Sequence, residues 1–368
     1  MKRLPLNSLH RSSGADLYEA LGVELPAKFS DVVAEVSFVR ESAGLFDQSY
    51  RGVLDLRGER VREVLQGVLS SSVVALPVGH GQSSCLLSAK GRLAGAFDLY
   101  AIDEHMFRVV TREPMRESLV KNITKYVFLG DVEVDDVSED VCLLSVQGPA
   151  ARDVVEACDG SATVLNDGES VAAEVEIGSV PCRVVCGGET PEGGYEVWVA
   201  SQSAEPVWRA LCAEARGAGG GVCGHAASEV LRVEAGHARF GQDYDEESFP
   251  NEIGWEYALT YDKCYVGQEV VARMRTYGEV NRKLRGILPN VPDQEVNPGD
   301  RVFDGDDEAG VVTSVVYSER LQRRLCLASM KRRFWQATEL VVKSSATDVE
   351  ARQVDLPFVR LDATGSSG

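Results

Sequence analysis

Apolar positions along this 368-residue chain change their period several times, and each change marks an element. Between Phe29 and Arg40 the residues Phe29, Val32, Val33, Val36 and Val39 recur at helical spacing. Residues 14–46 as a whole read as mostly helical, with Gly44 as the stop. From Gly52 the pattern alternates, so Val53-Leu54-Asp55-Leu56-Arg57 is predicted as a strand closed by Gly58. Glu59 to Leu69 returns to helical spacing. Cys85 to Ser88 and Phe97 to Ile102 flank Lys90-Gly91-Arg92 as a strand–turn–strand pair, Phe107 to Val110 is a short strand, and Met115 to Val127 is a helix.

The alternation returns at Cys142 to Gln147, and Gly148-Pro149 starts a helix over Ala150 to Ala157. Gly193-Gly194 launches the strand Tyr195 to Ala200. Glu205 to Ala213 and Ala226 to Gly236 are helical, and Gln268 to Met274 is a helix begun after Gly267. Past Arg285 the character shifts to six short apolar runs separated by turns: 286–288, 300–303, 310–317, 325–330, 338–342 and 350–354. That spacing predicts a small β-barrel. The reading is an α+β fold: a region over 1–283 with two α+β subdomains, one inserted at about 52–135, and a C-terminal β-barrel domain over 284–364. The closing Thr364–Gly368 reads as a tail.

Composition narrows the function classes. The net charge of −19, from 38 Lys+Arg against 57 Asp+Glu, disfavours non-specific nucleic-acid or anionic-lipid binding. Arg320-Leu321-Gln322-Arg323-Arg324 with Lys331-Arg332-Arg333 is the local basic concentration, a solvated rim or else a docking site for an anionic tail or RNA. No run approaches the ~18 apolar residues of a membrane span. Residues 1–30 lack an apolar run of signal-peptide length, and Asp16, Glu19 and Glu24 argue against a mitochondrial presequence. Nine scattered cysteines follow no disulfide framework. Cys182 and Cys186 have no second pair at zinc spacing, and no metal site is expected. Reduced thiols in a cytoplasmic compartment fit best.

The strongest candidate chemistry lies at Asp262-Lys263-Cys264-Tyr265-Val266-Gly267-Gln268-Glu269. Cys264 stands beside a cation and a few residues before a helix start, and both favour thiolate. The competing reading is a small buried filler. This stretch resembles the K-G-C-Y-x-G-Q-E signature of YgfZ-type folate-binding proteins, relatives of the glycine cleavage T-protein (aminomethyltransferase). Asp262-Lys263 stands where that signature has Lys-Gly. Other segments resemble the same superfamily in order: Ala43-Gly44-Leu45-Phe46-Asp47-Gln48-Ser49; Val146-Gln147-Gly148-Pro149-Ala150-Ala151; Leu231-Arg232-Val233-Glu234-Ala235-Gly236 with Gly241-Gln242-Asp243; and Gly310-Val311-Val312-Thr313-Ser314 with Leu356-Pro357-Phe358.

The resemblance implies three domains in a ring around a pocket for tetrahydrofolate or a derivative, the last domain a β-barrel. Tyr195-Glu196 stands where the family's glutamate holds the pterin; a carboxylate there accepts two parallel N–H bonds. Strand alternation puts Trp198 on the same face as Glu196. The competing reading of Glu196 is a solvated strand carboxylate. The matched motifs add Arg232 and Gln268 to the cofactor-binding candidates. Two positions depart from the transferase. Its adjacent aspartates fall on Gly95 and Ala96, with Asp98 two residues on, and its A-R-D arginine falls on Ser228.

Three readings follow. The first is a tetrahydrofolate-binding protein of YgfZ type that supports iron–sulfur cluster assembly or repair, with Cys264 redox-active and iron–sulfur proteins as clients. The second is a folate-dependent one-carbon transferase in which Asp98 orients the folate amine or acts as base. The third is a folate-fold interaction module without turnover.

Overall fold

The computed structural model describes residues 2–111, 115–128, 131–159, 172–188, 190, 192–277, 280–344 and 347–360. The tail at Thr364–Gly368 lies outside the described residues. The chain divides into two compact units: Met1–Ser88, Ala94–Ser228 and Ala258–Val266 form one, and Ala89–Leu93, Glu229–Tyr257 and Gly267–Gly368 the other.

The first unit holds a six-stranded sheet in the order Ala172–Ile177, Val180–Cys186, Gly194–Ala200, Val141–Gln147, Gly44–Asp47, Gly221–Val222. All neighbours run antiparallel except the last pair. Period-two alternation sorts its faces. Tyr195, Val197 and Val199 join Cys142, Leu144 and Val146 in a core closed by the helices Ala151–Cys158 and Ala204–Gly217 through Val154, Trp208 and Leu211. A five-stranded sheet follows the order Gly81–Leu87, Leu93–Ala101, Met106–Thr111, Gly52–Arg57, Glu133–Asp136. Its apolar face carries Leu54, Leu56, Phe97, Leu99, Phe107 and Val109. Leu65 of the helix Val61–Val68, and Leu119 and Ile123 of the helix Met115–Val127, pack onto it.

The reading of 14–46 as mostly helical is corrected. Helices occupy Asn7–Ser12 and Val32–Glu41, but Asp16–Ala20 and Val23–Lys28 pair as antiparallel strands. A short strand pair with mixed burial carries no clean period, and there propensity yields to pairing. Gly44 does not stop the helix but opens the strand Gly44–Asp47. Its missing side chain has a packing reason, because a Cβ there would run into Val39 and into Cys223 Sγ.

The second unit contains a closed six-stranded barrel in the order Arg282–Pro289, Arg323–Lys331, Asp307–Ser318, Arg301–Asp304, Glu339–Lys343, Asp348–Val354. Each of the six apolar runs read from the sequence is one of these strands. The interior is filled by alternate residues, among them Ile287, Val302, Val312, Ala328, Val342 and Val349. The helix Gln268–Tyr277 starts directly after Gly267, whose φ is +80°.

Candidate functional site

Glu196 sits on the central strand of the six-stranded sheet, paired with Ser145 on one side and Val185 on the other. It is 5% exposed. Alternation turns it away from the core that holds Tyr195 and toward Trp198, whose indole Nε1–H donates to Glu196 Oε2 at 3.2 Å. That face also carries Leu143 and Val185, and Tyr100 of the five-stranded sheet packs against it, its ring meeting that of Trp198 edge to face with centroids 4.8 Å apart. Burial, then the charges of Asp98 and Glu196, raise the Tyr100 hydroxyl well above the ordinary tyrosine range, so it is a neutral donor.

The link between these groups is Arg51, in the turn between Gly44–Asp47 and Gly52–Arg57. Its backbone N–H closes the turn on Gln48 O at 3.0 Å. Its Nη1 donates to Glu196 Oε1 and, at 3.1 Å, to Gln48 Oε1. Its Nη2 lies 3.7 Å from Asp98 Oδ2. The other Asp98 oxygen accepts from Ser83 Oγ at 2.7 Å, and the Asp98 side chain remains 35% exposed. One buried guanidinium therefore joins Glu196, fully enclosed, to Asp98, open to solvent. Arg51 was missed in the sequence. The signal available was its place four residues after Asp47 in the A-G-L-F-D stretch.

The remaining candidates fall elsewhere. Tyr195 is buried on the opposite face of the sheet from Glu196. Arg232 belongs to the second unit, where its guanidinium is spent internally. It donates to Asp243 Oδ2 at 2.9 Å, to Ser314 Oγ at 2.9 Å, to the His237 carbonyl at 3.1 Å and to both Glu229 oxygens. Asp243 in turn accepts from Thr313 and Ser314 hydroxyls and the Arg239 N–H. The L-R-x-E-A-G, G-x-D and G-x-V-T-S segments are thus one buried polar network fastening a helix to a barrel strand. Gln268 opens the helix Gln268–Tyr277 and is half-buried.

Cys264 is the one exposed thiol of the nine. The filler reading is corrected on that ground. Burial drives Cys85, Cys158 and Cys326 up to about 12 and Cys182 to about 11, and raises Cys142 and Cys223 well above the usual range. The neighbouring cation has another task. Lys263 Nζ donates to Gln66 O and Leu69 O, both at 2.7 Å, at the C-terminal end of the helix Val61–Val68. That is a favourable place for a cation, although burial draws the amine down to about 8 against the opposing charge of Asp262. Ser228, at the place of the transferase arginine, is buried and lines a cavity of about 10 Å³, room for roughly one water. Among the described residues no group of three or more His, Cys, Asp or Glu gathers as a metal site, and no helix is long and apolar enough to cross a membrane.

These features define an α+β protein with a C-terminal six-stranded barrel and, in its first unit, a polar cluster on the central strand of the six-stranded sheet. The chain belongs to the glycine cleavage T-protein family: the GCVT N-terminal domain matches residues 6–263, and the glycine cleavage T-protein C-terminal barrel domain matches residues 282–360. An aminomethyltransferase of Symbiobacterium thermophilum is 30% identical over 98% of this chain and 98% of its own length. One of Thermus thermophilus is 31% identical over 98% and 100%. The crystal structure of glycine cleavage system aminomethyltransferase T from Bartonella henselae shares the fold, with a TM-score of 0.86 at 22% identity over 97% of this chain and 98% of that one.

Proposed function

We propose that this chain binds a reduced folate at Glu196 and transfers a one-carbon unit, with Asp98 as the working carboxylate. Glycine cleavage T-proteins use tetrahydrofolate, and the relatives named above are aminomethyltransferases. The observation that carries the reading is the arginine bridge, which brings an enclosed carboxylate and a solvent-reached carboxylate into one cluster. The residues fit the ligand. A carboxylate offers about four acceptor positions, and Arg51 and Trp198 take one on each oxygen of Glu196. Capacity is left for the two N–H groups of an aminopyrimidinone edge, with the Trp198 and Tyr100 rings beside it. Asp98 Oδ2, 3.7 Å from Arg51, lies beyond hydrogen-bonding distance and keeps a lone pair to accept a proton from an amine. Bound tetrahydrofolate supplies the amine that takes up the one-carbon unit.

The one-carbon donor need not be that of glycine cleavage. Gly95 and Ala96 stand at the places of the transferase aspartates, and Asp98 is two strand residues on, a displacement of ~6.6 Å. A misplacement of ~1 Å can cost a hundredfold in rate. Transfer from aminomethyl-lipoylated H-protein should therefore be slow or absent, while folate binding is intact. Calorimetry with 5-formyl-tetrahydrofolate tests the pocket: Glu196→Gln should weaken binding ten- to a hundredfold, about 1.5–3 kcal/mol. Equal affinity of variant and wild type would remove the assignment. Turnover of the H-protein substrate at ordinary enzyme rates would instead make the chain an aminomethyltransferase of the glycine cleavage reaction.

A YgfZ-type role in iron–sulfur assembly or repair is the second reading, supported by the exposed Cys264 in its C-Y-x-G-Q-E stretch. Its test is recovery of an oxidant-damaged iron–sulfur enzyme. The chain should speed recovery and Cys264→Ser should not. Equal effects of the two proteins would remove it.

A further inference from the structure

On the far side of the six-stranded sheet from Glu196 lies a cavity of about 480 Å³. The sidedness follows from Trp208, which lines the cavity and packs in the core with Tyr195, Val197 and Val199, while Glu196 projects from the other face. The volume lies within the usual range for small-molecule sites. The helix Ala204–Gly217 forms one wall, presenting Arg209, Cys212, Ala213 and Arg216 at i, i+3, i+4 and i+7, a single face. Phe29 and Phe38 stand among the lining residues, Phe38 close enough to Gly221 that a Cβ there would sit 2.6 Å from the ring. The lining therefore combines aromatic rings with small residues such as Gly220 and Gly221.

The charge at its rim is what selects an occupant. Among the described residues two arginines line the cavity and no carboxylate does, in a chain that carries 57 acidic residues. Among the described residues Arg209 makes only an exposed i,i+4 pair with Glu205, at 2.7 Å, the kind worth little in water. Arg216 makes no side-chain ion pair or hydrogen bond among the described residues. The two lie seven residues apart on the helix, about 10 Å along its axis. Ser13 adds a hydroxyl to the lining, while the Ser30 hydroxyl is taken by the buried Glu35 at 3.4 Å. We propose that this cavity is a binding site for a small aromatic carboxylate, its ring against Phe29 and Phe38 and its anion at Arg216. Such a ligand satisfies both halves of the lining: aromatic surface removed from water, and a charge-assisted contact to a planar guanidinium.

Calorimetry of the full chain with 2-naphthoate tests this, with neutral 2-naphthamide as the comparison. Binding of naphthoate should be one to one, and at least about tenfold tighter than the amide, as expected for one hydrogen bond to a charged group. Arg216→Gln should erase that preference while leaving the amide unchanged. Ala213→Trp, at an exposed helix position, should abolish binding of both, with far-ultraviolet circular dichroism confirming the fold. Glu196→Gln should alter neither. Equal affinity for acid and amide, or naphthoate binding that survives Ala213→Trp, would overturn the proposal.

Discussion

Arg51 and Arg232 are built from the same parts. Each side chain is 3% exposed, and each lies against two carboxylates. They differ in how completely the partners are closed. Around Arg232, Asp243 is fully enclosed and takes hydroxyl and backbone donors as well as the guanidinium. Glu229 is 21% exposed, but both of its oxygens are held by Arg232 and one of them by Arg239 as well, so the cluster serves to fasten. Around Arg51, Glu196 is enclosed but Asp98 is open, loosely approached and held by one serine. A buried ion pair with an unsaturated, solvent-reached member is the arrangement that can exchange a partner for a ligand. Saturation, not residue type, separates the fastener from the candidate site.

The largest effect should come from breaking the closed cluster. Arg232→Met leaves Asp243 and Glu229 without their cation and should cost about 3–5 kcal/mol of stability, read by urea unfolding, with folate affinity unchanged below the transition. Asp98→Asn should cost no more than about 1 kcal/mol, because its arginine stands 3.7 Å away and solvent screens it. Equal destabilisation by the two would erase the distinction between the clusters.

Next in size is Arg51 itself. Arg51→Gln removes the clamp on Glu196 and should weaken 5-formyl-tetrahydrofolate binding about tenfold or more, with Arg51→Lys restoring part of it. A variant that only unfolded the chain would lose affinity and melting temperature together, and the lysine would rescue neither alone.

Cys264 comes third. A thiol held at about 12 carries roughly one part in ten thousand of thiolate at pH 8, so limiting iodoacetamide should label Cys264 before any of the buried cysteines. Because the Lys263 amine is turned onto two carbonyls, Lys263→Gln should change that rate by no more than about twofold. A large drop would restore the adjacent-cation account.

The last test is a pH dependence. The folded-state value of Lys263 lies near 8, below the free lysine value of 10.5. Between those limits the unfolded chain holds more protons than the folded one, so this group makes stability rise with pH across that window. Below about 8 its burial cost is fully present. Lys263→Met should flatten the rise, and an unchanged slope would show that the two carbonyls cancel the burial.

The barrel was legible in the sequence because its strands alternate over a closed interior, where period and burial coincide. Glu196 and Trp198 were legible for the same reason: a spacing of two along one strand puts them on a common face. The hairpin at Asp16–Lys28 was not, since a short pairing with mixed exposure leaves no period to read. Sequence spacing also could not tell Arg232 from Arg51. Both are arginines near acidic motifs. Arg232 is consumed because barrel residues 313 and 314, some 80 positions along the chain, return hydroxyls to the same aspartate. Arg51 matters because Asp98 and Glu196, 47 and 145 residues away, converge on one guanidinium. Local periodicity determines which face a side chain takes. Only tertiary folding decides which charges, distant in sequence, share a face, because burial and pairing energies depend on what else closes around them.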